Sequence, residues 1–174
     1  MAVLGLGNLG AEVARHLSRT GFRTLGWARS PKQIEGVECF DGPHSLDEVL
    51  AQADIVVNML PLTPATEDMV DAAFLGKMKR GAAFINTARG RHVVEEDLLA
   101  ALDAGQLSHA TLDVFRQEPL PEDSPFWSHP GVTITPHISS IADPETGAVI
   151  VAENVRRFEE TGEWSHLVDV AAGY

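Results

Sequence analysis

Six residues near the start, Gly5-Leu6-Gly7-Asn8-Leu9-Gly10, spell G-x-G-x-x-G. They follow the short apolar run Ala2-Val3-Leu4 and lead into Leu9, Val13 and Leu17, which recur at helical spacing until Gly21. A glycine motif set between a strand and a helix is a place to hold a dinucleotide's pyrophosphate. Gly5 permits a tight turn, Gly7 close approach of the phosphates, and Gly10 close packing of helix on strand. The first N–H groups of the helix, on Asn8, Leu9 and Gly10, then face the anion. About twenty residues past the motif, an Asp or Glu is expected where a free ribose 2′-hydroxyl is bound. The sequence there is Trp27-Ala28-Arg29-Ser30-Pro31-Lys32, without an acid. Arg29, Ser30 and Lys32 are donors suited to a 2′-phosphate, so NADP (as NADPH) is expected in preference to NAD (as NADH). Without a ligand the same residues would be a glycine turn and solvated loop charges, with no cofactor preference.

The elements needed to position these groups alternate along the chain. Strands are expected at Ala2–Leu4, Phe22–Trp27, Val37–Phe40, Ile55–Met59, Ala83–Asn86, His109–Val114 and Val132–Thr135. Helices are expected after Gly7, from Ser45 or Asp47 to Ala53, over Asp71–Lys79, over Glu95–Ala104 with Gly105 closing it, and from Asp143-Pro144 to near Gly162. The continuous apolar run at Ile55 is what a parallel sheet covered on both faces requires. Seven strands alternating with helices make an α/β fold, a doubly wound parallel sheet of Rossmann type, within one dinucleotide-binding domain, residues 1–174.

The 174 residues carry 13 Lys and Arg against 25 Asp and Glu, a formal charge of −12. Nucleic acid is therefore excluded as the expected partner, since phosphate binding needs a basic face. The apolar stretches, Ala53–Leu60 the longest among them, are too short to span a bilayer, so no membrane partner is expected. The single cysteine, Cys39, fits a reducing compartment and a cytoplasmic location; it reads as a small apolar strand residue. No Cys and His spacing suggests a metal, and His16, His44, His92, His109, His129 and His166 read as ordinary.

In doubly wound sheets ligands sit at the carboxyl ends of the strands, and there the remaining suggestive residues collect. Leu60-Pro61-Leu62-Thr63-Pro64-Ala65-Thr66 follows the fourth strand and Asn86-Thr87-Ala88-Arg89-Gly90 the fifth. Leu112-Asp113-Val114-Phe115, Glu118-Pro119-Leu120-Pro121 and Thr135-Pro136-His137 come after. Together with the glycine motif, this order resembles the cofactor domain of D-isomer-specific 2-hydroxyacid dehydrogenases. The segment Ser124–Pro130 around Trp127 and the terminal Gly173-Tyr174 are similar to the glyoxylate/hydroxypyruvate reductase A group, which uses NADPH.

The resemblance implies roles residue by residue. Arg89 would hold a 2-keto acid's carboxylate and polarise its ketone, work suited to a planar, permanently charged guanidinium. His137 would give a proton to the ketone oxygen during reduction and take it back during oxidation. Glu118 would pair with His137 and fix its tautomer. Asp113 would accept from the nicotinamide carboxamide, Leu60, Pro61 and Thr66 would flank the adenosine side, and Ala88 joins the cofactor contacts. The implied reaction is NAD(P)H-dependent reduction of a small 2-keto acid, of glyoxylate or hydroxypyruvate type, to a D-2-hydroxy acid.

Relatives of this kind carry a second, substrate-covering domain before the glycine strand, and their last helix crosses to it. Here that helix, about residues 143–162, bears Ala148, Val151, Val155 and Phe158 at helical spacing, to pack on its own sheet or to meet such a domain. The chain by itself is therefore expected to bind cofactor weakly and to turn over slowly or not at all. A homodimer through this domain is a further implication. The rival expectations are a cofactor-binding module without chemistry and a regulatory protein of the corepressor kind, which keeps the same Arg, Glu and His.

Overall fold

The structure is a computed structural model, and it describes residues 1–140, 143–165 and 167. His166, Gly173 and Tyr174 lie outside the described residues. Seven parallel strands form one sheet in the order β3-β2-β1-β4-β5-β6-β7. They are β1 Ala2–Leu4, β2 Thr24–Ala28, β3 Val37–Asp41, β4 Ile55–Asn58, β5 Ala82–Asn86, β6 Leu107–Leu112 and β7 Val132–Ile134. The helices are α1 Asn8–Arg19, α2 Leu46–Gln52, α3 Ala72–Lys77, α4 Glu95–Asp103 and α5 Pro144–Thr161. The strand order reverses between β1 and β4, so the doubly wound fold opens its ligand crevice beyond Leu4 and Asn58.

The helix signals in the sequence act as written. Asp71 accepts from Phe74 N at 2.8 Å at the start of α3, and Asp143 accepts from Thr146 N at 3.0 Å at the start of α5. Gly105 and Gly162 close α4 and α5 at φ 64° and 72°. The second strand begins later than the apolar run suggests. Phe22 N returns to Leu17 O after Gly21 turns at φ 96°, so Phe22 belongs to the end of α1 and stays half exposed.

The expectation of a sheet covered on both faces needs correction. On one face Leu4, Val56, Phe84 and Leu112 pack with Val49 and Leu50 of α2, Leu75 of α3, and Leu98 and Leu102 of α4. On the other, α1 covers only the β1–β3 side, with Val3, Leu6, Ala14 and Ala28 buried. Burial therefore alternates along β5: Ala82, Phe84 and Asn86 are buried, while Ala83 and Ile85 are not. The apolar stripe of α5 does not make up the difference. No residue of that helix is buried, and Val151, Val155 and Phe158 are 64%, 44% and 40% exposed. Of the two placements open for this helix, packing on its own sheet is the one not observed.

Candidate active site

The turn between β1 and α1 is shaped by its glycines. Gly5 has φ 95°, and a Cβ there would lie 2.7 Å from Met59 O in the turn after β4. A Cβ on Gly10 would fall 1.8 Å from Gly5 O, so only glycine lets α1 start this close to the strand. A Cβ on Gly7 would meet nothing within 4 Å, which is the clearance a pyrophosphate needs. The start of α1 has no side-chain cap and no acid in its first turn. A helix start of this kind suits an anion even on a chain of net charge −12. Asn8 is exposed beside it, as is Leu9 at 62%. Leu9 therefore follows the helical period without joining the core. Arg29, Ser30 and Lys32 are exposed just past the end of β2, the strand next to β1. This set of residues fits a dinucleotide with a 2′-phosphate.

On the far side of the crevice, Leu60 is buried and Pro61 half-buried. The Thr66 hydroxyl donates to Pro61 O at 2.7 Å and accepts from Thr63 N at 2.9 Å, so it closes its own loop. Ala88 is buried, and its carbonyl accepts from Arg89 Nη1 at 2.7 Å.

The three residues singled out for chemistry come to one place. Arg89, Glu118 and His137 line a shallow cavity of about 220 Å³ with Leu62, Gly90, Arg91, Phe115 and Arg116. His137 Nδ1 is 2.8 Å from Glu118 Oε2, and Glu118 Oε1 accepts from Phe115 N at 2.9 Å. Burial pushes the Glu118 carboxyl up, but it is outweighed by the bonds from His137 and Phe115 and by the charges of His137 and Arg89. The carboxyl ends below its ordinary value. The carboxylate is thereby kept ionised, with Nδ1 of the imidazole facing it and Nε2 left for other work.

His137 itself has φ 55°, in the left-handed region that a residue with a side chain seldom adopts. Its neighbours explain how it is held. Asp113, only 1% exposed, accepts from Thr135 Oγ1 at 2.5 Å and Ile138 N at 3.0 Å on Oδ1. On Oδ2 it accepts from Ser139 N at 3.0 Å and Ser139 Oγ at 2.6 Å. One carboxylate therefore grips the chain on both sides of His137. Burial alone would raise the Asp113 carboxyl, yet the bonds from Ser139, Thr135 and Ile138 bring it down to about 2. The resemblance has Asp113 accept from a carboxamide; in this structure its acceptor sites are filled by the chain's own donors, and a carboxamide would have to displace one of them.

Other residues that build the site were not legible as such. A Cβ on Gly90 would fall 1.8 Å from Phe115 C, so this glycine brings the Arg89 loop against the Glu118 loop. His92, read as ordinary, is fully buried directly beneath Arg89. Among the described residues, no three His, Cys, Asp or Glu side chains gather as metal ligands, and no helix is long and apolar enough to cross a membrane.

Residues 1–139 match the family described as D-isomer specific 2-hydroxyacid dehydrogenase, NAD binding domain. Glyoxylate/hydroxypyruvate reductase A of Yersinia enterocolitica is 45% identical over all 174 residues, which cover 56% of that protein. The protein of the same name from Photorhabdus laumondii is 42% identical with the same coverage. The chain thus spans about half the length of the curated relatives it matches. A solved D-isomer specific 2-hydroxyacid dehydrogenase from Xanthobacter autotrophicus Py2, in complex with NADPH and MES, superposes with a TM-score of 0.97 at 50% identity. The match covers 100% of this chain and 72% of that one. An NADPH-dependent glyoxylate/hydroxypyruvate reductase from Sinorhizobium meliloti, in complex with NADP and sulfate, gives 0.95 at 42% identity, covering 99% and 56%.

Proposed function

Because the chain belongs to the D-isomer specific 2-hydroxyacid dehydrogenase family, through its NAD binding domain, we propose that it provides the cofactor-binding half of an NADPH-dependent reductase of small 2-keto acids. Glyoxylate and hydroxypyruvate are the substrate class, and the product is a 2-hydroxy acid, D where the carbon is chiral. The observation that carries this is the Glu118–His137 pair at 2.8 Å sharing one cavity with Arg89. Relatives named glyoxylate/hydroxypyruvate reductase A, and solved relatives holding NADPH or NADP, support it.

The bound nicotinamide supplies the hydride for the reduction. Gly5, Gly7, Gly10, Asn8 and Leu9 hold its pyrophosphate, Arg29, Ser30 and Lys32 its 2′-phosphate, and Leu60, Pro61, Thr66 and Ala88 the far wall. Arg89 takes the substrate carboxylate in a bidentate ion pair and turns the ketone toward His137. His137 gives its Nε2 proton to the ketone oxygen as negative charge develops there. Glu118, ionised and bonded to Nδ1, stabilises the proton-bearing imidazole and fixes which nitrogen faces substrate. Asp113 keeps the His137 loop in place and exchanges one of its donors for the cofactor's carboxamide. A cytoplasmic location, supported by the lone Cys39, and a homodimer through this domain belong to the same proposal.

The test is the oxidation of NADPH by glyoxylate and by hydroxypyruvate, together with binding of oxamate, a 2-keto acid mimic, to the NADPH-loaded chain. Oxamate binding should disappear in Arg89→Ala, and any turnover should fall at least about a hundredfold in His137→Gln. Oxamate binding that survives Arg89→Ala, or turnover unchanged in His137→Gln, contradicts the assignment. The rival reading, a module that binds cofactor without chemistry, expects NADPH binding with no response to oxamate.

A further inference from the structure

Three polar side chains with no exposed surface stand at the ends of β4 and β5 and in the loop after β5: Asn58, Asn86 and His92. Buried polar groups are costly unless paired, and these pair with one another and with the site's own backbone. Asn58 Nδ2 donates to Asn86 Oδ1 at 3.1 Å, and Asn86 Nδ2 donates to Arg89 O at 3.1 Å. Arg89 N donates to His92 Nδ1 at 3.3 Å, and His92 Nε2 lies 3.3 Å from Pro61 O. Leu60 N donates to Asn58 Oδ1 at 3.2 Å, so one step of backbone from Pro61 closes the ring.

The tautomer follows from the partners. His92 Nδ1 is also 3.0 Å from Arg89 O, but that carbonyl already accepts from Asn86 Nδ2 and from His92 N. Pro61 O accepts from Thr66 Oγ1 and has a second lone pair, and a proton on Nε2 gives both Pro61 O and Arg89 N a partner of the right kind. Nδ1 is then free to accept from Arg89 N, and each ring nitrogen has one partner of the right kind.

We propose that His92 is a positioning residue for Arg89, and that it couples the Arg89 backbone to the loop at Pro61. The inference rests on the reading of Arg89 as the carboxylate anchor. A long arginine side chain finds a carboxylate reproducibly only if its Cα is fixed. Here the Arg89 N–H is held by His92 and its carbonyl by Asn86, while Gly90 is wedged against Phe115. A shift of Pro61, in the loop after the neighbouring strand β4, is transmitted through the imidazole to the residue that holds substrate.

The two ring nitrogens are separable by substitution. In His92→Asn the amide oxygen replaces Nδ1, keeping the acceptor for Arg89 N; in His92→Gln the amide nitrogen replaces Nε2, keeping the donor to Pro61 O. The first readout is hydrogen exchange of the Arg89 amide in the 174-residue chain, which needs neither cofactor nor turnover. His92→Asn should leave that amide protected, while His92→Gln and His92→Phe should speed its exchange at least about tenfold. The second readout is function: His92→Gln should raise KM for the keto acid, or Kd for oxamate, about tenfold with kcat little changed, and His92→Asn should not. Equal behaviour of the Asn and Gln variants, differing from the parent only in Tm, overturns the inference and leaves His92 a packing residue. Arg89→Gln serves as the reference arm. If it leaves KM and oxamate affinity unchanged, the carboxylate reading fails; if it raises them and His92→Gln does not, only the positioning of Arg89 fails.

Discussion

Replacing Asp113 with Asn changes one oxygen to an NH₂ at a site where four donors converge. The folded carboxyl lies at about 2 against an ordinary 3.8, a difference of about two units. At roughly 1.4 kcal/mol per unit, the ionised carboxylate favours the folded state by about 2–3 kcal/mol at neutral pH. In the D113N variant the amide nitrogen faces donors with a donor, leaving at least one buried N–H or O–H without an acceptor. That costs about 1–3 kcal/mol, partly the same energy counted from the other side, so a total loss of about 3 kcal/mol is expected. Because the folded pKa is the lower one, this stabilisation is complete above about pH 4 and is lost as pH falls toward about 2. Roughly half of the ionisation part is gone by about pH 3. The assay is denaturant unfolding followed by the fluorescence of Trp27, a buried core residue, for parent and D113N between about pH 7 and about pH 3. The difference should be about 3 kcal/mol at neutral pH and narrow by about 1 kcal/mol at the acid end. A difference under about 1 kcal/mol that does not move with pH would refute the idea that Asp113 clamps the His137 loop.

Gly90→Ala places a methyl against the Phe115 backbone and should separate the Arg89 and Glu118 loops, costing about 3 kcal/mol by thermal unfolding and abolishing oxamate binding. Full retention of both would mean that the loops tolerate a wider gap. Glu118→Gln removes the charge facing His137; any turnover should drop about tenfold or more and its pH profile should change shape, whereas an unaltered profile would exclude the pair from proton transfer. Val151→Asp, on a side chain 64% exposed, should change stability by no more than about 0.5 kcal/mol, and a larger loss would show that α5 is packed.

How far the sequence could be read depended on how far apart the contacting residues lie. The strand–glycine–helix unit at Gly5–Gly10 is local, and so are the caps Asp71, Asp143, Gly105 and Gly162, and all of these were legible. So were the positions of Arg89, Glu118 and His137 at successive strand ends, because a doubly wound sheet brings those ends together. Leu9 fits the helical period without joining the core, because it stands at the helix start, beyond the carboxyl edge of the sheet. Phe22 misled because a β-prone residue was taken up by the helix exit. His92 and Asn58 carried no signal of their own, and Gly90, quoted within Asn86–Gly90, gave none of its contact with Phe115. His92 finds Pro61 31 residues away, Asn58 finds Asn86 28 away, and Gly90 meets Phe115 from another strand's loop. Such pairings follow only once strand order and loop heights are known.

Whether the chain is an NADPH-binding domain is tested most directly by a fluorescence titration of the 174 residues with NADPH and, separately, with NADH, on the parent and on Arg29→Asp. Saturable binding is expected, with NADPH the tighter ligand, and Arg29→Asp should lose at least about tenfold in NADPH affinity while NADH is little changed. Binding of neither nucleotide, or equal binding of both that ignores Arg29→Asp, would contradict it.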